Sequence, residues 1–137
     1  MQPQMLLDTD ILSIFIRRPD LVEKKATAYL ADHSELTFSI LTKYEILRGL
    51  KSKRARKQIS AFENRCARST ILSIDNEVIE KASDIYAELK RRGELIDDVD
   101  ILIAATAIVN HVGVVTNNEK HFARITGPPD SKQRQNW

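Results

Sequence analysis

An α/β domain, with a short parallel sheet covered by helices on both faces, is the fold class the sequence predicts. Two observations lead there. Four short strand-like segments alternate with longer segments of helical periodicity, and parallel strands need such crossovers between them. The helical segment 99–111 has an interior that is apolar all round, which suits a helix lying centrally in a fold rather than on its surface.

Residues 5–8, Met-Leu-Leu-Asp, are apolar and then abruptly acidic, the pattern of a short buried strand that ends at a polar edge. Asp8, Thr9 or Asp10 then caps a helix at 11–17, because a side-chain oxygen there accepts a free first-turn amide. Pro19 starts a second helix, its fixed φ suiting a first helical position, with Leu21, Val22, Ala26, Tyr29 and Leu30 on one face. Segment 35–39 reads as the second strand and 40–50 as a helix that stops near Gly49. Residues 52–67 form a basic amphipathic helix with Ile59, Phe62 and Cys66 inward. Segment 69–74 is the third strand.

Asp75 caps a long helix that buries Val78, Ile79, Ala82, Ile85, Tyr86 and Leu89 and ends at Gly93, a residue suited to the left-handed stop after a helix. Asp97 or Asp98 caps the central helix. Gly113-Val-Val-Thr116 is a fourth strand, short and β-branched. A short helix at 118–125 follows, and an irregular tail runs from the Gly127-Pro128-Pro129 break to residue 137. The whole chain, 1–137, reads as one domain.

Composition excludes several classes. A hydrophobic fraction of 42% and a charged fraction of 29% are those of a soluble globular domain. No apolar run approaches the ~18 residues needed to span a bilayer. The N-terminus has no basic segment ahead of an apolar one, so no signal peptide is expected. One cysteine, Cys66, allows no internal disulfide, in keeping with a reducing cytoplasm. His33, His111 and His121 lack metal-ligand spacing. Tyr29, Tyr44 and Tyr86 fall at helical spacing with apolar residues and read as packing. The net charge of +2 says little, but Arg48, Lys51, Lys53, Arg54, Arg56 and Lys57 put six cations into ten residues with no acid among them. Such a cluster is either a solvated helix surface or an edge that contacts phosphates.

The chemistry lies in three carboxylates set where apolar residues crowd in. Asp8 ends the first strand, Glu45 lies inside Ile-Leu-Thr-Lys-Tyr-Glu-Ile-Leu (40–47), and Asp100 precedes Ile-Leu-Ile-Ala-Ala (101–105). Unpaired acids are costly to bury, and three facing one pocket repel each other unless a cation neutralises them. Carboxylates without Cys or His at ligand spacing suit a hard ion such as Mg²⁺ or Mn²⁺, the chemistry of phosphodiester hydrolysis. Asp8 and Thr116 stand at strand C-termini, where parallel sheets bind ligands. Glu45 lies one turn after Leu41 on the border of its apolar stripe. Asp97 and Asp98 are spare helix caps, which leaves Asp100 free for another role.

Four motifs, in order, resemble the PIN-domain ribonucleases and, within them, the VapC-type toxins of prokaryotic toxin–antitoxin pairs. They are Leu-Leu-Asp-Thr-Asp (6–10), Ser-Ile-Leu-Thr-Lys-Tyr-Glu-Ile-Leu-Arg-Gly (39–49), Asp-Ile-Leu-Ile-Ala-Ala-Thr-Ala (100–107) and Val-Val-Thr-Asn-Asn-Glu-Lys-His-Phe (114–122). The resemblance implies a three-layer α/β/α fold, Mg²⁺- or Mn²⁺-dependent endoribonuclease activity, a homodimer, and inhibition by a cognate antitoxin. Asp8, Glu45 and Asp100 occupy the family's acidic catalytic positions, with Asp8 and Asp100 holding the metal. Thr9, Thr116 and Asn118 fall at supporting or phosphate-binding positions, Asn118 standing where many members have a fourth acid. Arg48, Lys51, Lys53, Arg54 and Lys57 are then the candidate RNA contacts. Two other readings accompany this one. Asp8-Thr9-Asp10 after an apolar strand looks like the start of a haloacid-dehalogenase-type phosphatase, and a PIN-like fold with a lapsed site would bind RNA or protein without cutting.

Overall fold

In the computed structural model of the chain, which describes residues 2–125 and 134–137, β1 (Met5–Leu7) lies at the centre of a five-stranded sheet. On one side β2 (Thr37–Ser39) and then β3 (Thr70–Leu72) follow, and on the other β4 (Gly113–Val115) and β5 (Arg134–Gln135). Every pairing is parallel, with Leu6 opposite both Thr37 and Val114. The helices are α1 (Thr9–Arg17), α2 (Glu23–His33), α3 (Ile40–Ser52), α4 (Arg56–Ala67), α5 (Asn76–Arg91), α6 (Asp98–Val109) and α7 (Glu119–Ala123).

The three layers follow from the alternation of side chains along a strand. Leu6 and Val114 point to a core shared with α5, α6 and Phe122 of α7. Met5, Leu7, Phe38 and Val115 point to the opposite core, shared with Ile11, Leu12, Tyr29, Phe62 and Cys66. The three residues of β1 are fully buried, each contributing about 2 kcal/mol of apolar burial. The α/β/α sandwich is therefore present as expected. The apolar segment expected to lie centrally is α6, which buries Ile101, Ile103, Ala104, Ala105, Thr106 and Ala107 against the sheet and α5.

Several details differ from the sequence reading. Pro19 opens a single tight turn, Pro19–Leu21, and the α-helix starts only at Glu23. Leu21 is consequently exposed, while Val22, Ala26 and Tyr29 are buried. Gly49 does not stop α3, which runs on to Ser52. One glycine costs a helix only about 1 kcal/mol, and Ile46, Leu47 and Leu50 on either side of it pack against the core. In α5, Ile79 is 46% and Tyr86 40% exposed. Ile79 lies about 90° and Tyr86 about 70° around the helix from the centre of the buried stripe Val78, Ala82, Ile85 and Leu89, at the margin of the arc that α6 and the sheet cover. Tyr44 is exposed as well, so of the three tyrosines only Tyr29 is core, its hydroxyl accepting from the Met5 amide at 3.1 Å. Gly93 does follow α5 in the left-handed region, at φ 68°.

The tail is not wholly irregular. Arg134–Gln135 adds the fifth strand, and the Trp137 ring lies 5.6 Å from that of Tyr29. Backbone pairing with β4 was invisible in a sequence with no apolar alternation there. The Gly127-Pro128-Pro129 break lies outside the described residues. Among the described residues, no helix is long and apolar enough to cross a membrane.

Candidate active site

Asp8 follows the last residue of β1 and is held twice. Its amide donates to the Val115 carbonyl at 3.0 Å, extending the β1–β4 ladder. Its side chain accepts from the Ile11 amide at 3.0 Å and so caps α1. The cap and functional readings of this residue are thus the same geometry: capping fixes the carboxylate at the edge of the sheet. The group is only 3% exposed, and burial pushes its pKa from 3.8 up to about 6. Hydrogen bonds from the Thr116 hydroxyl and the Ile11 amide pull the other way, and the charges of Asp10 and Asp100 add to the rise. Thr116 is fully buried just beyond β4, with its hydroxyl on the Asp8 carboxylate.

Glu45 projects from α3 toward the same edge. Thr9 donates its hydroxyl to Oε1 of Glu45 at 2.5 Å, and the Thr9 and Thr42 hydroxyls are 3.0 Å apart. Arg48, one turn further along α3, places a guanidinium nitrogen 3.7 Å from Oε2 and lies over the Tyr44 ring at 5.2 Å. That ion pair is solvated and contributes little to stability. Asp100, in the first turn of α6, meets Nδ1 of His121 at 2.8 Å through Oδ2.

These residues line one cleft of about 470 Å³ with Asp10, Asp97, Asp98, Val99, Ile103 and Asn118. The structure thus brings together Asp8, Thr9, Glu45, Asp100 and Asn118 as the sequence predicted, with Thr116 behind Asp8. Of the candidate RNA contacts, Arg48 joins the cleft wall. Lys51, Lys53, Arg54 and Lys57 are exposed around the α3–α4 turn, where Arg54 has φ 54°. Asp97 stands at the N-cap of α6 but makes no side-chain capping bond.

Three contributors were missed. Asp10, in the sequence a candidate cap and part of the phosphatase-like Asp8-Thr9-Asp10, lines the cleft two residues after Asp8. Thr42, three residues before Glu45, carries no signal in the sequence and is fully buried beside Thr9. His121 lacks metal-ligand spacing in the sequence, and no local pattern there pairs it with Asp100, which it meets across 21 positions.

Among the described residues, six carboxylates face the cleft against one guanidinium, that of Arg48. No three of the described His, Cys, Asp or Glu side chains close to the spacing of a ligand cage. The donor set is nevertheless of one kind, carboxylate oxygen, which is what hard divalent ions take. The charge it gathers around a buried acid is what such an ion offsets.

A family model described as the PIN domain matches residues 5–128. Ribonuclease VapC1 of Methanocaldococcus jannaschii is 34% identical over 124 residues, 90% of this chain and 82% of that one. The tRNA(fMet)-specific endonuclease VapC of Shigella flexneri is 27% identical over 126 residues, 90% of this chain and 93% of that one. Among solved structures, DNA-bound VapBC from Salmonella typhimurium superposes with a TM-score of 0.84 at 26% identity, covering 100% of this chain and 99% of that one. VapBC2 from Rickettsia felis, bound to a promoter DNA fragment, gives a TM-score of 0.81 at 26% identity, covering 97% and 98%.

Proposed function

The chain belongs to the PIN-domain family, and on that premise we propose that it is a divalent-metal-dependent endoribonuclease, the toxin of a toxin–antitoxin pair. Its substrate is RNA and its partner a cognate antitoxin, as the VapC relatives and VapBC complexes support. The observation that carries the reading is the single cleft at the carboxyl edge of the sheet, which gathers buried Asp8 with Glu45 and Asp100 from three separate elements. Family membership displaces the phosphatase alternative. The gathered acids favour a working nuclease over a lapsed one.

Asp8 and Asp100 are the residues that would hold Mg²⁺ or Mn²⁺. When bound, the ion supplies positive charge to offset the scissile phosphate and to activate a water. The other roles belong to the chain. Glu45, oriented by Thr9, accepts a proton from the attacking water. Asn118 donates its side-chain amide to a phosphate oxygen, and Thr116 keeps Asp8 aligned. Attack by water breaks the P–O3′ bond and leaves 5′-phosphate and 3′-hydroxyl ends. The open cleft suits single-stranded or loop RNA, whose backbone can be splayed into it. The assay is incubation of the purified protein with total RNA and Mg²⁺ or Mn²⁺, followed by mapping of new 5′ ends. Cleavage is expected with either ion and none in EDTA. Undiminished cleavage in EDTA would refute the metal-dependent reading.

The exposed cations beyond Arg48 are proposed to track the RNA backbone. Neutralising Lys53, Arg54 and Lys57 together is expected to flatten the plot of log K against log salt by about 2 units, at ~0.7 per phosphate contact on single strands. An unchanged slope would leave the cluster a solvated face. A homodimer in the cytoplasm completes the proposal. The monomer mass of 15.6 kDa, if found by light scattering at micromolar concentration, would count against the dimer.

A further inference from the structure

We infer that His121 is the positioning residue of Asp100, holding its carboxylate in the orientation that receives the divalent ion. The inference rests on the metal-dependent reading above and extends it to a residue outside the acid set. Asp100 has its backbone fixed in the first turn of α6, but its carboxylate still turns about two side-chain bonds. Among the described residues, its one side-chain hydrogen bond is to His121, 21 positions along the chain. A carboxylate only accepts, so the ring nitrogen donates, Nδ1–H to Oδ2 at 2.8 Å. One oxygen is thereby engaged by the ring, and the remaining lone pairs of the group are left for a cation.

The surroundings of His121 fit this task and no packing one. The side chain is 35% exposed, whereas its neighbour Phe122 is buried and joins the core in its place. The ring lines a second cleft of about 370 Å³ with Asn117, Asn118, Glu119, Lys120 and Arg124, and from there reaches Asp100, which lines the acidic one. Its backbone is held as well, the His121 amide donating to the Asn118 carbonyl at 3.0 Å. Asn118 itself lines the acidic cleft. The strand-end segment thus delivers both a cleft-lining amide and the group that fixes an acid donated by another helix. Partners that orient metal-binding carboxylates typically carry a ten- to hundred-fold share of metal affinity.

The test uses the full-length protein and Mn²⁺ alone, with free Mn²⁺ read by electron paramagnetic resonance and no RNA present. His121→Ala is expected to weaken Mn²⁺ binding by ~10- to 100-fold, with its melting temperature unchanged. His121→Asn places its amide nitrogen where Nδ1 stood, so it should recover most of the affinity. His121→Gln places the amide one atom further out and should not. RNA cleavage at fixed Mn²⁺ should follow the same order, the loss in His121→Ala being relieved by excess Mn²⁺. Native affinity in His121→Ala, or equal affinity in the Asn and Gln variants, overturns the inference. Asp100→Asn, run alongside, separates the levels. If that variant binds Mn²⁺ as the native chain does, the metal reading of the site fails and the role of His121 falls with it.

Discussion

Asp8→Asn, Glu45→Gln and Asp100→Asn are each expected to lower RNA turnover by ~10²-fold or more, in line with the loss of a preorganised charge at the reacting centre. The substitutions isolate charge from structure. Asparagine at position 8 keeps the oxygen that accepts the Ile11 amide, and asparagine is as good an N-cap as aspartate. Glutamine at position 45 keeps an acceptor for the Thr9 hydroxyl. Each variant should therefore fold and melt cooperatively while losing activity in a single-turnover cleavage assay. Asp97→Asn should be mild, because Asp97 is exposed and its side chain makes no capping bond. The opposite pattern, with Asp97→Asn inactive and Asp100→Asn tolerated, would place the reacting acid elsewhere on α6.

In the absence of divalent ions, the native chain is expected to lose stability as pH rises from about 4 to about 7, relative to Asp8→Asn. The carboxyl of Asp8 ionises near 3.8 when unfolded and at about 6 when folded. Between those values the folded chain holds a proton that the unfolded chain has released, so unfolding releases protons and a higher pH favours it. The stabilising effect of the neutral group is complete below 3.8 and lost as pH passes 6. A shift of that size corresponds to roughly 3 kcal/mol, or a melting difference on the order of 10 °C for a chain of this length. Asp8→Asn removes the titration, so its melting temperature should equal or exceed the native one at pH 7. Added Mn²⁺ should then stabilise the native chain through its binding to the folded state, and the variant much less. Parallel native and Asp8→Asn curves across pH would mean that the buried carboxylate is not strained when ionised.

Alternation of short strands with helices, read from residues 5–8, 35–39, 69–74 and 113–116, was enough to predict the parallel sheet, because crossover connections leave few other ways to satisfy the strand backbones. The caps Asp8 and Asp75 were legible too, since a cap is a contact across three residues. Element ends were less so. Gly49 reads as a stop only if local propensity decides, and Ile46, Leu47 and Leu50 outweigh it by burial. The buried face of α5 is narrower than its apolar residues suggest, because hydrophobicity marks Ile79 and Tyr86 as apolar without saying how broad an arc α6 and the sheet cover.

What the sequence determined by itself is the layered fold, the placement of Asp8 and Asp100 at the polar ends of buried elements and that of Glu45 on the border of an apolar helix stripe, all consequences of short-range periodicity and capping. Only the tertiary structure decided which groups share the cleft. Thr9 meets Glu45 across 36 residues and Asp100 meets His121 across 21. It also turned Arg134–Gln135 into a strand, through β4 amides and carbonyls that needed partners. Such pairings leave no periodic trace in a single chain. They are settled when two cores close on opposite faces of the sheet and fix where every strand end must point.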